Sequence, residues 1–85
     1  MSRAQQVFQR EFDADFESLP ADVRQRITRA IDEMGENLRR FPHHRLTGNA
    51  DFRLRVGDYR VIYSFDVNKN EIQLLAVGHR REIYR

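Results

Sequence analysis

The sequence predicts an α+β fold, with an N-terminal helical hairpin packed on a twisted antiparallel β-sheet. Three observations carry this prediction. Apolar residues recur every three or four positions through the first half of the chain and every second position through the second. Two turn signals, Gly57-Asp58 and Asn68-Lys69-Asn70, cut the second half into three strand-length pieces. Runs of helix followed by runs of strand favour segregated helices over an alternating α/β arrangement.

Val7-Phe8, with neighbours from about residue 3, suggests a short first strand. Phe12, Phe16 and Leu19 then lie at i, i+4 and i+7, one stripe of a short helix. Pro20 suits the first turn of a second helix, and Asp22 sits favourably near its positive end. From there Val23, Ile27, Ala30, Ile31, Met34, Leu38 and Phe41 form a continuous apolar stripe, so this helix is expected from about 21 to 40, ending at Phe41-Pro42. Gly35 inside it costs about 1 kcal/mol relative to Ala and marks a place for a local break. Asp13, Asp15 and Glu17 read as a solvated helix face.

Phe52, Leu54 and Val56 alternate with Arg53 and Arg55, while Tyr59, Val61, Tyr63 and Phe65 alternate with Arg60, Ile62 and Ser64. Gly57-Asp58 fits a type II′ turn with Gly first. That loop sets Val56 opposite Tyr59, Leu54 opposite Val61 and Phe52 opposite Tyr63, all apolar pairs. On the other face, Arg55 falls opposite Arg60 and Arg53 opposite Ile62. The third strand, Glu71 to Val77, pairs Phe65 with Ile72 and Tyr63 with Leu74. Continued without interruption, that register sets Val61 beside Ala76, Ile62 beside Leu75 and Arg60 beside Val77. A short N-terminal strand completes the expected sheet beside this meander.

The chain has 85 residues, 40% of them hydrophobic, with six Phe and three Tyr, enough for one domain (residues 1–85) with a modest core. It has no Cys, so a disulfide scaffold and a Cys-based zinc site are excluded. No apolar run approaches the ~20 residues of a membrane span, and the N-terminus has no signal-like apolar stretch, so a soluble cytoplasmic protein is expected. Net charge is only +2, but residues 1–40 hold seven Arg against eight acids, while residues 41–85 hold seven Arg and Lys69 against five acids. The basic half is therefore almost wholly arginine, whose planar fork suits phosphate.

Arg53, Arg55 and Arg60 form a predicted cluster on the exposed sheet face, floored by Ile62, Leu75 and Val77. Like charges facing each other across a hairpin are destabilising unless an anion neutralises them, so the cluster is a candidate phosphate-binding site. The tail Gly78-His79-Arg80-Arg81-Glu82-Ile83-Tyr84-Arg85 follows the last strand and is expected to converge on the same edge. Cutting RNA by its own 2′-hydroxyl needs a base, an acid for the leaving 5′-oxygen and cations for the phosphorane-like charge. Tyr84 and His79 can move protons; Arg60, Arg80 and Arg81 can supply charge but are poor proton donors. His43-His44 lies in a predicted loop without acids or Cys at ligand spacing, and no cofactor or metal is expected.

Phe52-Arg53-Leu54-Arg55-Val56-Gly57-Asp58-Tyr59-Arg60-Val61-Ile62-Tyr63 and the closing Val77-Gly78-His79-Arg80-Arg81-Glu82-Ile83-Tyr84-Arg85, placed after two helices, resemble the RelE/ParE superfamily of type II toxin–antitoxin toxins, and specifically its RelE-like branch. The likeness spans Phe12 to Arg85. It implies a compact RelE-like toxin that cuts mRNA in the ribosomal A site without a metal and is neutralised by a cognate antitoxin, with operator DNA reached only through that antitoxin. By position, Arg53 and Arg55 match the family's basic strand pair, Arg60 the Arg of its Tyr-Arg step, Arg80 the Arg after the Gly, and Tyr84 the C-terminal Tyr. The family's strand pair is lysine in its best-known members. Arginine here leaves the general acid open, between His79 and a ribosomal or RNA group, and places more weight on Tyr84. The ParE-like branch, which poisons DNA gyrase and has no nuclease site, is the alternative, followed by an inactive nucleic-acid-binding module.

Overall fold

The computed structural model describes residues 3–46, 48, 50–79 and 81. The element order is β1 (Gln5–Phe8), α1 (Arg10–Glu17), α2 (Ala21–Glu36), β2 (His44–Arg45), β3 (Phe52–Val56), β4 (Tyr59–Asp66) and β5 (Glu71–His79). The class is α+β, as the change of period predicts, but the sheet is mixed rather than antiparallel throughout. Its five strands run in the order β1-β5-β4-β3-β2, and β1 lies parallel to β5, pairing Gln5 with Glu71 and Phe8 with Leu74. A strand the sequence does not predict, β2, takes His44 out of the expected loop and pairs it with Arg53.

Both helices bury their stripes on one face of the sheet. Phe12 of α1 and Val23, Ile27, Ile31 and Met34 of α2 share a core with Val61, Tyr63, Ile72, Leu74 and Val77. The helices are joined by more than packing. Arg24 of α2 donates to the carbonyls of Leu19 (2.8 Å) and Glu17 (3.4 Å), which lie at and beyond the end of α1. α1 has no basic residue in its own last turn, so Arg24 supplies the positive charge that its C-terminus favours.

α2 ends at Glu36, about a turn earlier than its apolar stripe suggests. Asn37 leaves helical geometry at φ −148°, ψ 61°, and Arg40 and Phe41 both donate to its carbonyl in a separate turn. The break falls just after Gly35, whose carbonyl accepts the Ala4 N–H at 2.9 Å and ties the chain before β1 to the helix. Leu38 keeps its place in the core, which is why the stripe reads through the break.

His43, a weak metal candidate by sequence, is part of an aromatic cluster. Its ring stacks on Phe65 with centroids 3.8 Å apart and an interplanar angle of 19°, with Phe41, Phe52 and Tyr63 around it. Its Nε2 lies 2.8 Å from the Leu38 carbonyl and its Nδ1 2.6 Å from the Tyr63 hydroxyl. A carbonyl only accepts, so Nε2 carries the proton and Nδ1 accepts from Tyr63. Burial pushes the Tyr63 phenol up to about 12. Among the described residues, no group of His, Asp and Glu is placed to hold a metal ion.

The β3–β4 register is the one the sequence predicts, from Phe52–Tyr63 to Val56–Tyr59. Gly57 takes φ 60°, the left-handed value that a II′ turn requires at its first position. The guanidinium of Arg26 on α2 lies 3.3 Å from where a Cβ at Gly57 would be. Gly57→Ala should therefore cost about 1–2 kcal/mol through its backbone alone, measurable as a lowered denaturation midpoint.

The β4–β5 register holds only half-way. Phe65–Ile72 and Tyr63–Leu74 pair as expected, but a bulge between Ile62 and Tyr63 inserts Leu75 as an extra residue on β5. Beyond it, Val61 faces Val77, Ile62 faces Ala76 and Arg60 faces Gly78, one residue on from the predicted partners. The shift turns Val77 into the core, where it is 2% exposed. No helix among the described residues is long and apolar enough to cross a membrane.

Candidate nucleic-acid interface

Strand alternation sends the residues between the core positions to the face away from the helices. On β3 these are Arg53 and Arg55, and on β4 they are Arg60, Ile62, Ser64 and Asp66. Two rows of this face concern function. One runs His44, Arg53, Ile62, Ala76, and the other Arg55, Arg60, Gly78. The predicted apposition of Arg55 and Arg60 is present. Arg55 is exposed, while Arg53 and Arg60 are half-buried. Among the described residues, neither Arg53 nor Arg55 makes an ion pair.

The apolar floor differs from expectation. Ile62 lies beside Arg53, but the bulge replaces Val77 by Gly78 next to Arg60, and Val77 belongs to the opposite face. A glycine at that point leaves the flank of Arg60 without a side chain. His44 joins the row beyond Arg53; a two-residue strand after a proline carries no period that could have revealed it.

This face is polarised along its strands. At the end away from the arginines, Asp66 pairs with Glu71. Asp66 Oδ1 accepts the N–H groups of Asn68 and Lys69 in the turn, and Glu71 Oε1 accepts from Gln73 Nε2 at 2.8 Å. An anion lying on the sheet is thus drawn to the β3–β4 hairpin and repelled from the β4–β5 turn.

His79 does not join the arginines. It follows Val77 on the helix side of β5, pairs with Tyr59 and meets that ring edge-on, with centroids 5.5 Å apart at 78°. Its Nδ1 accepts the Arg81 main-chain N–H at 3.2 Å, which leaves Nε2 as its outward atom. The expected convergence of His79 with Arg53, Arg55 and Arg60 in one pocket therefore gives way to an arrangement around the end of the sheet, arginines on one side and His79 on the other. Arg81 is exposed, and Arg80 and Tyr84 lie outside the described residues.

A directly opposed like-charge pair costs roughly 0.2–1 kcal/mol. With Arg53 next to it, the arrangement presents a positive surface on which a bound anion would offset that repulsion. The guanidiniums can orient a phosphodiester and stabilise charge developing on it, but cannot exchange protons with it.

Comparisons with known proteins agree on the family and the fold. The model of a family described as the ParE toxin of type II toxin–antitoxin system, parDE, matches residues 7–84. Among solved structures, the RelBE2 toxin–antitoxin complex from Mycobacterium tuberculosis is similar with a TM-score of 0.77 at 22% identity, over 94% of this chain and 94% of that one. The RelB–RelE antitoxin–toxin complex from Methanococcus jannaschii gives 0.70 at 28% identity, over 92% and 94%. The archaeal RelE–RelB complex from Pyrococcus horikoshii gives 0.74 at 25% identity, over 93% and 97%. No curated protein sequence matches this chain.

Proposed function

We infer that this chain, which belongs to the ParE toxin family of type II toxin–antitoxin systems, arrests translation by cleaving mRNA in the ribosomal A site. The observation that carries this reading is Arg55 facing Arg60, with Arg53 alongside, on a sheet face that neither helix covers. Phosphate is a ligand that the planar guanidiniums of such a surface suit. RNA supplies it together with an internal nucleophile, the 2′-hydroxyl. In the proposed reaction that oxygen attacks the adjacent phosphorus, the 5′-oxygen leaves, and a 2′,3′-cyclic phosphate remains on the upstream fragment. Arg53 and Arg55 hold the backbone and Arg60 stabilises the charge on the non-bridging oxygens. Tyr84, acting as the phenolate, accepts the 2′-hydroxyl proton and Arg80 adds positive charge, roles that rest on their match to the family's C-terminal residues. The leaving oxygen takes its proton from a ribosomal or RNA group, because His79 Nδ1 accepts the Arg81 N–H and a neutral imidazole is a poor acid for this step. The reaction as proposed draws on no cofactor.

A cognate antitoxin is the expected partner, presenting an acidic segment to the basic cluster. Several similar structures are toxin–antitoxin complexes, which supports this partner.

The description of the matching family favours a second reading, inhibition of DNA gyrase, since it names ParE. Primer extension on programmed ribosomes, run beside a gyrase supercoiling assay with the same preparation, separates the two. A-site cuts with unchanged supercoiling support the nuclease; loss of supercoiling without cuts assigns the chain to gyrase.

A further inference from the structure

The last row of the sheet carries two rings that the cleavage chemistry does not require. Val56, Tyr59 and His79 pair across β3, β4 and β5 at the hairpin end of the sheet, on the helix side. Tyr59 and His79 are half-buried, so each keeps some ring surface open. Their edge-to-face contact and the Arg81 N–H on Nδ1 hold His79 in one orientation. Next to them, the Arg26 guanidinium lies against the Gly57 turn, so the rim is positive on this side too. The adjacent row, Arg55–Arg60–Gly78, points to the other face. A single residue step along each strand thus separates a phosphate-binding row from an aromatic pair.

We propose that this rim, formed by Tyr59 and His79 beside Arg26, is a stacking site for one unpaired nucleobase of the bound RNA. The proposal rests on the RNA reading above. A strand whose phosphates lie on Arg55 and Arg60 passes over the end of the sheet, where Gly78 leaves the crossing clear of a side chain. Turning one base over the rim lays it on a ring that is already oriented, so little ordering entropy opposes the contact. It also withdraws the nucleotide from its neighbours and opens the adjoining phosphodiester to in-line attack. Stacking is indifferent to base identity, so this site secures a single-stranded state rather than a sequence.

The test compares a short single-stranded RNA with an abasic ribose-phosphate strand of equal length and charge, by direct binding to the purified chain. The wild type should bind the intact RNA roughly tenfold more tightly, as expected of one stacked base. Tyr59→Phe should keep that preference. Tyr59→Leu should lose it while binding the abasic strand as the wild type does. His79→Ala, which leaves the Tyr59 packing in place, should reduce the preference as well and gives an independent reading if Tyr59→Leu melts early. Equal affinity of the wild type for the two strands, or a full preference retained in both Tyr59→Leu and His79→Ala, overturns the site while leaving phosphate binding intact. Binding to neither strand overturns the RNA reading itself, and the site with it.

Discussion

Replacing Arg55 and Arg60 together by Gln should abolish translation arrest without unfolding the protein. Arg60 on a non-bridging oxygen corresponds to about 10²–10³ in rate by the usual cost of losing one preorganised donor. Single-turnover cleavage on programmed ribosomes should therefore fall at least about 10²-fold in the double variant. RNA affinity should also lose salt sensitivity. Three phosphate contacts to a single strand give a log–log slope near about −2, and one remaining contact leaves about −0.7. Stability should move the other way. Arg55→Gln removes a directly opposed like charge and should raise unfolding free energy by a few tenths, up to about 1 kcal/mol. Loss of function with a gain in stability marks a surface kept for a ligand. A double variant that cuts and arrests like the wild type would remove the arginines from the site.

His43→Ala should be strongly destabilising although it lies away from that surface. It deletes the ring stacked on Phe65 and strips partners from the Tyr63 hydroxyl and the Leu38 carbonyl. Truncation of a half-buried ring in an aromatic cluster, together with stranded polar groups, suggests about 2–3 kcal/mol, a large share of the total for a small domain. The midpoint of thermal unfolding should drop on the order of 15 °C. His43→Phe keeps the ring and loses only the hydrogen bonds, so it should lie between the two.

The same cluster sets a pH response. Tyr63 keeps its proton up to about pH 12 in the folded state, while in the unfolded chain it titrates near its ordinary value of 10.0. Below pH 10 both states hold the proton and stability is unaffected. Between pH 10 and 12 the unfolded state releases it first, so stability falls as pH rises, by about 1.4 kcal/mol per unit. Tyr63→Phe should be less stable at neutral pH and should lack this added slope. Identical alkaline slopes in wild type and variant would show that the phenol is not held as the geometry requires.

What the sequence revealed depended on how strongly each pairing was specified. The β3–β4 hairpin was fully legible, because Gly57-Asp58 fixes the loop and clean alternation of arginine with apolar residues permits one register. That sufficed to find Arg55 opposite Arg60. The β5 register was legible only up to Leu74, because Leu75, Ala76 and Val77 are all apolar and do not say which faces the core. The bulge therefore left no trace, and with it went the correct neighbour of Arg60 and the side on which His79 lies. The N-terminal strand was weakly marked and its parallel pairing unmarked, since its partner lies at the far end of the chain. His43 was seen only as half of a histidine pair; its role follows from Phe41, Phe52, Tyr63 and Phe65 meeting in space.

The parallel pairing of β1 with β5 also bears on when the arginine surface can form. β1 is the first strand and β5 the last, so the sheet lacks one edge until residues beyond 70 are available to pair. Arg60 lies on β4, between β3 and β5, so the basic surface too waits for the last strand to settle. Pairings this distant in sequence form slowly, because the intervening chain must close first. The arginine surface is therefore among the last features of the fold to form.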